Sequence, residues 1–190
     1  MKQTKRIRAV LCGNSSVGKS SILKRFSERT FEGNLEPTVA GTFKTTCVQK
    51  NNEVINLEIW DTAGDERYGS IIPTFFKKAG VIAIIYDVTC PQSFENLTYW
   101  INIAKDNAPI NTPFFIAGNK VDLEDNRRVT YEELKSFADV TNCDGFIETS
   151  AKTGEGIDDL FSLISSVPPN EVFESQIMPE SPIKLGKRCC

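Results

Sequence analysis

The run "GNSSVGKS", Gly13 to Ser20, limits the fold more than any other stretch of the chain. It follows the apolar segment "IRAVLC" and opens a helix-patterned segment, Lys19–Arg29. The three pieces make a strand–loop–helix unit that fits G-x-x-x-x-G-K-[ST] in its required context. Gly13 and Gly18 permit tight backbone geometry, so the amides of Asn14, Ser15, Ser16, Val17 and Gly18 can turn inward around phosphate oxygens. The start of the helix adds its own unpaired N–H groups. Lys19 is expected to reach β and γ phosphates, and Ser20 to bind Mg²⁺.

Further apolar runs, "VINLEIW", "VIAIIYDV" and "TPFFIAG", alternate with segments of helical length. Strands apolar on both faces, alternating with helices, imply a mostly parallel sheet covered on both sides. Strands are expected over 7–13, 42–49, 54–60, 81–87, 113–118 and 146–149, and helices over 19–28, 68–78, 92–106, 131–141 and 156–167. The polar "KNNE" between two strand patterns suits a hairpin, which makes one edge strand antiparallel. Pro168 and Pro169 end the last helix, and regular structure is expected to stop there. The division is a short N-terminal extension over 1–6, one domain over 7–167, and a flexible tail over 168–190.

Composition removes several chemistries. The chain of 190 residues contains no histidine, which excludes a histidine triad, a histidine zinc site and imidazole acid–base catalysis. A net charge of −3 argues against broad nucleic-acid binding. Cys12, Cys47, Cys90 and Cys143 are scattered singly and read as small packing residues rather than a disulfide framework. No signal peptide or membrane-spanning run is visible, so a cytosolic or cytosol-facing protein is expected.

Two further strand ends carry chemistry. Asp61 closes a strand at the sheet's carboxyl edge, where open α/β sheets place ligands, and is expected to hold Mg²⁺ through water. Gly64 lets a backbone N–H approach a γ-phosphate. In "GNKVDL", Asp122 can accept from a ring N–H and an exocyclic amine, a pair that guanine offers and adenine does not. Asn119 can brace this loop and the Lys120 stem can lie along the ring face. In "TSAK", Thr149 to Lys152, the Ala151 N–H can meet the guanine carbonyl. Ser21, Ser150 and Lys152 complete the expected base-binding set.

With "PTVAGTF", "WDTAGDERY" and the motifs above, the sequence resembles the Ras superfamily of small GTPases, and within it the Rab family. The resemblance covers residues 7–167 and the last two residues. It implies a P-loop NTPase fold, a six-stranded mostly parallel sheet with five flanking helices, and a GTP/GDP switch using Mg²⁺. It also implies Thr38 closing onto Mg²⁺ and the γ-phosphate, and Phe31 packing against guanine. Phe43, Trp60 and Tyr68 would form an aromatic effector surface, with simple core packing as the other reading for Phe43 and Trp60. The implied partners are an exchange factor, a GTPase-activating protein, a GDP-dissociation inhibitor or escort protein, and effectors. The chain itself is expected to be monomeric. The terminal Cys189 and Cys190 match a doubly geranylgeranylated end, with Lys184, Lys187 and Arg188 adding attraction to anionic lipid. The cytosolic face of Golgi or endosomal membranes is the implied location, and "IIPTFFKKAGVIAIIYDVT" resembles the Golgi-associated subgroup.

The chain departs from the Rab pattern in three places. Ala40 replaces a glycine, Thr42 replaces an aspartate, and Asp65 stands where the family has glutamine. The catalytic set implied is Lys19, Thr38, Gly64 and the residue at 65. A carboxylate there offers no amide to orient water and repels a polyphosphate, so slow hydrolysis is expected. The alternative is a GTP-binding interaction module with almost no hydrolysis.

Overall fold

A computed structural model of the chain describes residues 3–33, 36, 38, 41–50, 53–64, 71–169, 171–174 and 183–184. The strands are β1 (Gln3–Cys12), β2 (Gly41–Lys50), β3 (Glu53–Thr62), β4 (Val81–Asp87), β5 (Phe114–Asn119), β6 (Gly145–Thr149), β7 (Glu171–Glu174) and β8 (Ile183–Lys184). The helices are α1 (Lys19–Glu28), α2 (Ile72–Phe76), α3 (Pro91–Glu95), α4 (Leu97–Asn107), α5 (Tyr131–Thr141) and α6 (Ile157–Ile164). The sheet runs β6-β5-β4-β1-β3-β2-β8, with β7 beside the start of β1. The pairs β1–β3, β1–β4, β4–β5 and β5–β6 are parallel, and β2–β3 is antiparallel. The expected six-stranded, mostly parallel core is borne out.

Period-two alternation explains the two layers. In β1, Ala9 and Leu11 join a core with α1 and α6, whereas Val10 and Cys12 join one with α2, α4 and α5. Every residue of β4 is buried, as expected for a strand covered on both faces. The β2–β3 pairing closes at Lys50↔Glu53, which leaves a two-residue connection.

Several boundaries move. β1 reaches back to Gln3, into the segment expected as an extension. Its basic residues are matched across the ladder: Lys5 Nζ lies 2.5 Å from Glu53 Oε2, while Arg6 Nε and Arg8 Nε each lie 3.1 Å from Glu58 carboxylate oxygens. The helix expected over 92–106 is broken at Asn96. The break is a single turn residue: Asn96 N still donates to Gln92 O at 3.1 Å and Trp100 N to Asn96 O at 3.2 Å, and Gln92 Nε2 donates to Asn96 Oδ1 at 3.3 Å across it. Of the helix expected over 68–78, Ile72–Phe76 is helical and residues 65–70 lie outside the described chain. Regular structure also continues beyond Pro169. Glu171–Glu174 pairs antiparallel with Gln3–Arg6, alongside the part of β1 that β4 does not reach, and Ile183–Lys184 pairs with Val48–Gln49. The four described cysteines are free, as expected, but Cys90 is exposed rather than a packing residue. It precedes Pro91 at the start of α3, where the chain turns outward from β4.

Candidate nucleotide-binding site

The carboxyl ends of β1, β3, β4, β5 and β6 lie along one edge, and the chemistry-bearing residues gather there. Gly13, Ser16 and Gly18 carry φ of 136°, 63° and 98°, and this left-handed backbone wraps the loop between β1 and α1. Among the described residues, the amides of 14–18 have no protein acceptor. They form a concave donor set for an anion, continued by the N-terminus of the ten-residue α1. Ser15 and Ser16 are open to solvent, and Val17 is buried.

Lys19 runs back under this loop. Its Nζ donates to Gly13 O at 2.8 Å and to Asn14 O at 2.7 Å. Burial pushes its pKa down to about 8, against the opposing pull of Asp61 and Cys12. Sequence patterning did not single out Trp100, yet its Nε1 donates to Asn14 Oδ1 at 2.8 Å and fixes the loop from α4.

Ser20, Thr38 and Asp61 meet at one corner. Ser20 Oγ donates to Asp61 Oδ2 at 2.5 Å and lies 2.9 Å from Thr38 Oγ1. The other carboxylate oxygen, Asp61 Oδ1, is buried with no hydrogen-bond partner. Burial raises the Asp61 pKa, while the Ser20 bond and the Lys19 charge oppose the shift. Two hydroxyls, a carboxylate and an orphaned buried oxygen suit a hard cation that takes oxygen ligands and keeps waters, which is the chemistry of Mg²⁺. Gly64 lies against the loop so closely that a Cβ would stand 2.2 Å from Asn14 C and 2.3 Å from Ser15 N.

At the far end, Asn119 closes β5 and is buried. Its Nδ2 donates to Val17 O at 2.8 Å, and its Oδ1 accepts from Thr149 Oγ1 and from Ala151 N, both at 3.2 Å. The Ala151 amide expected to meet a guanine carbonyl is thus shared with this bracing network. Asp122 Oδ1 accepts from Ser150 Oγ at 2.6 Å, and Lys152 Nζ lies 3.6 Å from its other oxygen. Lys120 has φ 72° and reaches Asp87 Oδ2 at 2.6 Å. That pair ties the loop after β5 to the end of β4, and patterning missed Asp87 because it reads as a strand-end turn residue. Ser21 is half-buried in the first turn of α1, and Phe31 is exposed beyond its end.

Phe43 and Trp60 sit opposite one another on β2 and β3, with ring centroids 4.9 Å apart. Phe43 is 50% exposed and Trp60 partly buried, so the pair is a surface feature seated on the core. The third ring on Trp60 is Phe75 of α2, at 5.3 Å. Sequence reading missed Phe75, and the "FF" pair in an amphipathic turn was the available signal. Tyr68, Asp65, Cys189 and Cys190 lie outside the described residues. Among those described, no helix is long and apolar enough to cross a membrane.

Comparison with known proteins gives a consistent answer. The Ras family model matches residues 8–167. Ras-related protein Rab-31 of Homo sapiens is 37% identical over 196 aligned residues, covering the whole of both chains. Ras-related protein Rab-22A of Homo sapiens is 40% identical over 159 residues, 84% of this chain and 81% of that one. Ras-related protein Rab5 of Nicotiana tabacum is 39% identical over 152 residues, 80% of this chain and 76% of that one.

Proposed function

The chain belongs to the Rab family of the Ras superfamily of small GTPases, and from that premise we propose a GTP-binding switch of vesicle trafficking whose hydrolysis is slowed by Asp65. The observation that carries the reading is the convergence of the Gly13–Ser20 loop with Asp61, Asn119 and Asp122 on one sheet edge. The loop amides and Lys19 hold the β and γ phosphates of GTP. Asp122 accepts from the ring N–H and exocyclic amine of guanine, and the Ala151 N–H faces the base carbonyl. Phe31 packs on the base edge, and the Lys120 stem covers a ring face. Ser20 and Thr38 would hold Mg²⁺ through their hydroxyl oxygens, and Asp61 would hold it through water. When bound, Mg²⁺ neutralises charge on the β and γ phosphates.

Hydrolysis joins a water oxygen to the γ-phosphorus and breaks its bond to the β–γ bridging oxygen, which leaves with GDP. The Gly64 N–H and Lys19 Nζ stabilise charge on the transferring group. In the family a glutamine at 65 orients the water. Asp65 has no amide donor and carries charge of the same sign as the phosphates. Loss of one such donor costs on the order of 3 kcal/mol, roughly a hundredfold in rate. In single-turnover assays on GTP-loaded protein, Asp65→Gln is expected to speed hydrolysis by about that factor. An equal or slower rate in the variant overturns the slow-hydrolysis reading. Purified protein with Mg²⁺ that retains no guanine nucleotide, or prefers ATP, overturns the switch itself.

Asp65 also favours a second reading, a binding module whose output is effector recruitment alone. An activating protein that restores turnover without Asp65→Gln rejects it. Exchange factors, activating proteins, escort proteins and effectors are the expected partners. Cys189 and Cys190 carry the geranylgeranyl groups that hold the protein on the cytosolic face of Golgi or endosomal membranes.

A further inference from the structure

Arg25 lies on α1, the helix that begins at Lys19. Its guanidinium leaves that helix and enters the loop after β6. Nε donates to Ala151 O at 2.7 Å, Nη2 donates to Lys152 O, and Nη1 donates to Arg29 O at 3.1 Å. Its stem lies over Gly154, where a Cβ would stand 3.7 Å from Arg25 Cδ. Beside it, Arg29 Nη1 meets Asp158 Oδ1 at 2.6 Å, tying the end of α1 to the start of α6.

These bonds close a ring. Ala151 N donates to Asn119 Oδ1, and Asn119 Nδ2 donates to Val17 O in the phosphate loop. Val17 leads directly into α1, and α1 returns through Arg25 to Ala151 O. The Ala151 residue is therefore held on both sides, at its N–H by Asn119 and at its carbonyl by Arg25. A fork of fixed N–H directions can clamp two successive carbonyls in a way that a lysine ammonium cannot.

We propose that Arg25 is a positioning residue for base recognition: it fixes the Ala151 amide where that amide reads the C6 oxygen of the base. The inference rests on the guanine reading given above. It separates two sub-recognitions, with Arg25 acting through Ala151 on the C6 side and Asp122, braced by the Ser150 hydroxyl, accepting from the exocyclic amine.

The test compares Mg²⁺-bound wild-type and Arg25→Met protein for GDP, 6-thio-GDP and IDP. The thio nucleotide changes only the C6 acceptor, and IDP lacks only the exocyclic amine. Arg25→Met keeps the stem and loses the donors. GDP dissociation is expected to become about tenfold faster, the worth of one well-aligned hydrogen bond. The preference for GDP over 6-thio-GDP should shrink by a similar factor, while the preference for GDP over IDP stays unchanged. The acceleration of release by EDTA should keep its wild-type size. Arg25→Lys is read in the same assays and should fall between the two. Equal loss of both preferences, or loss of neither, in either variant overturns the proposal. Wild-type protein that fails to prefer GDP over both analogues and over ADP overturns the guanine reading itself, an outcome distinct from failure of the Arg25 step.

Discussion

A methyl group added at Gly13 would stand 2.0 Å from the carbonyl oxygen of Ile85, on the neighbouring strand β4. The backbone there has φ 136°, a conformation strained for any L side chain. Main chain cannot swing aside as a flexible side chain can. Gly13→Ala is therefore expected to lose about 2 kcal/mol or more of stability and to release nucleotide at least tenfold faster. Denaturant midpoints and the guanine nucleotide retained after purification measure both effects. At this scale the motif residues were legible because each needs a particular chemistry at a fixed spacing. Gly13, Lys19, Ser20, Asp61 and Asn119 declare themselves in that way. Trp100 and Arg25 do not. An indole on an apolar helix face and an arginine on a polar one look ordinary until their partners, 86 and 126 residues away, are known.

Elements were legible where their ends are written locally. The bounds of α5, Tyr131–Thr141, match the expected 131–141, and a complete capping box marks its start, with Glu133 N donating to Thr130 Oγ1 at 3.2 Å and Thr130 N to Glu133 Oε2 at 2.7 Å. The break between α3 and α4 was missed because it is a single turn residue, Asn96, inside an otherwise helical pattern whose backbone bonds continue across it. The contact that seats α1 on α6 is also beyond local pattern. Phe26 and Phe161 are fully buried and stack with centroids 3.7 Å apart and planes 10° from parallel. Phe161→Ala is expected to cost about 3–5 kcal/mol in urea unfolding. It should also speed GDP release, since α1 carries Lys19 and Ser20. A variant with unaltered unfolding free energy would show that the stack contributes nothing.

For the whole molecule, the proposed function divides between the nucleotide edge and the terminal cysteines. The residues proposed to bind phosphate and base fall between Gly13 and Lys152, along the edge formed by the carboxyl ends of the parallel strands. β7 pairs with Gln3–Arg6, at the opposite end of β1. Replacing Cys189 and Cys190 by serine in the full chain is therefore expected to leave GDP affinity within about twofold of wild type. The same change should abolish prenyl-dependent sedimentation with anionic vesicles, because stable anchoring needs lipid chains. Retained vesicle binding after prenyl transfer to the double variant would refute that division. By itself, the sequence determined the order of elements from β1 to α6 apart from the α3–α4 break, the phosphate loop, the acid proposed to select the base and the carboxylate at 65. Those depend on side-chain periodicity and on spacing along one dimension. Only the tertiary structure decided that Phe75 completes the aromatic group on Trp60, that the start of β1 is strand beside β7, and that Arg25 locks the base loop to the phosphate helix. Such pairings depend on sheet order and register, which bring distant residues to one edge and leave no periodic trace in the chain.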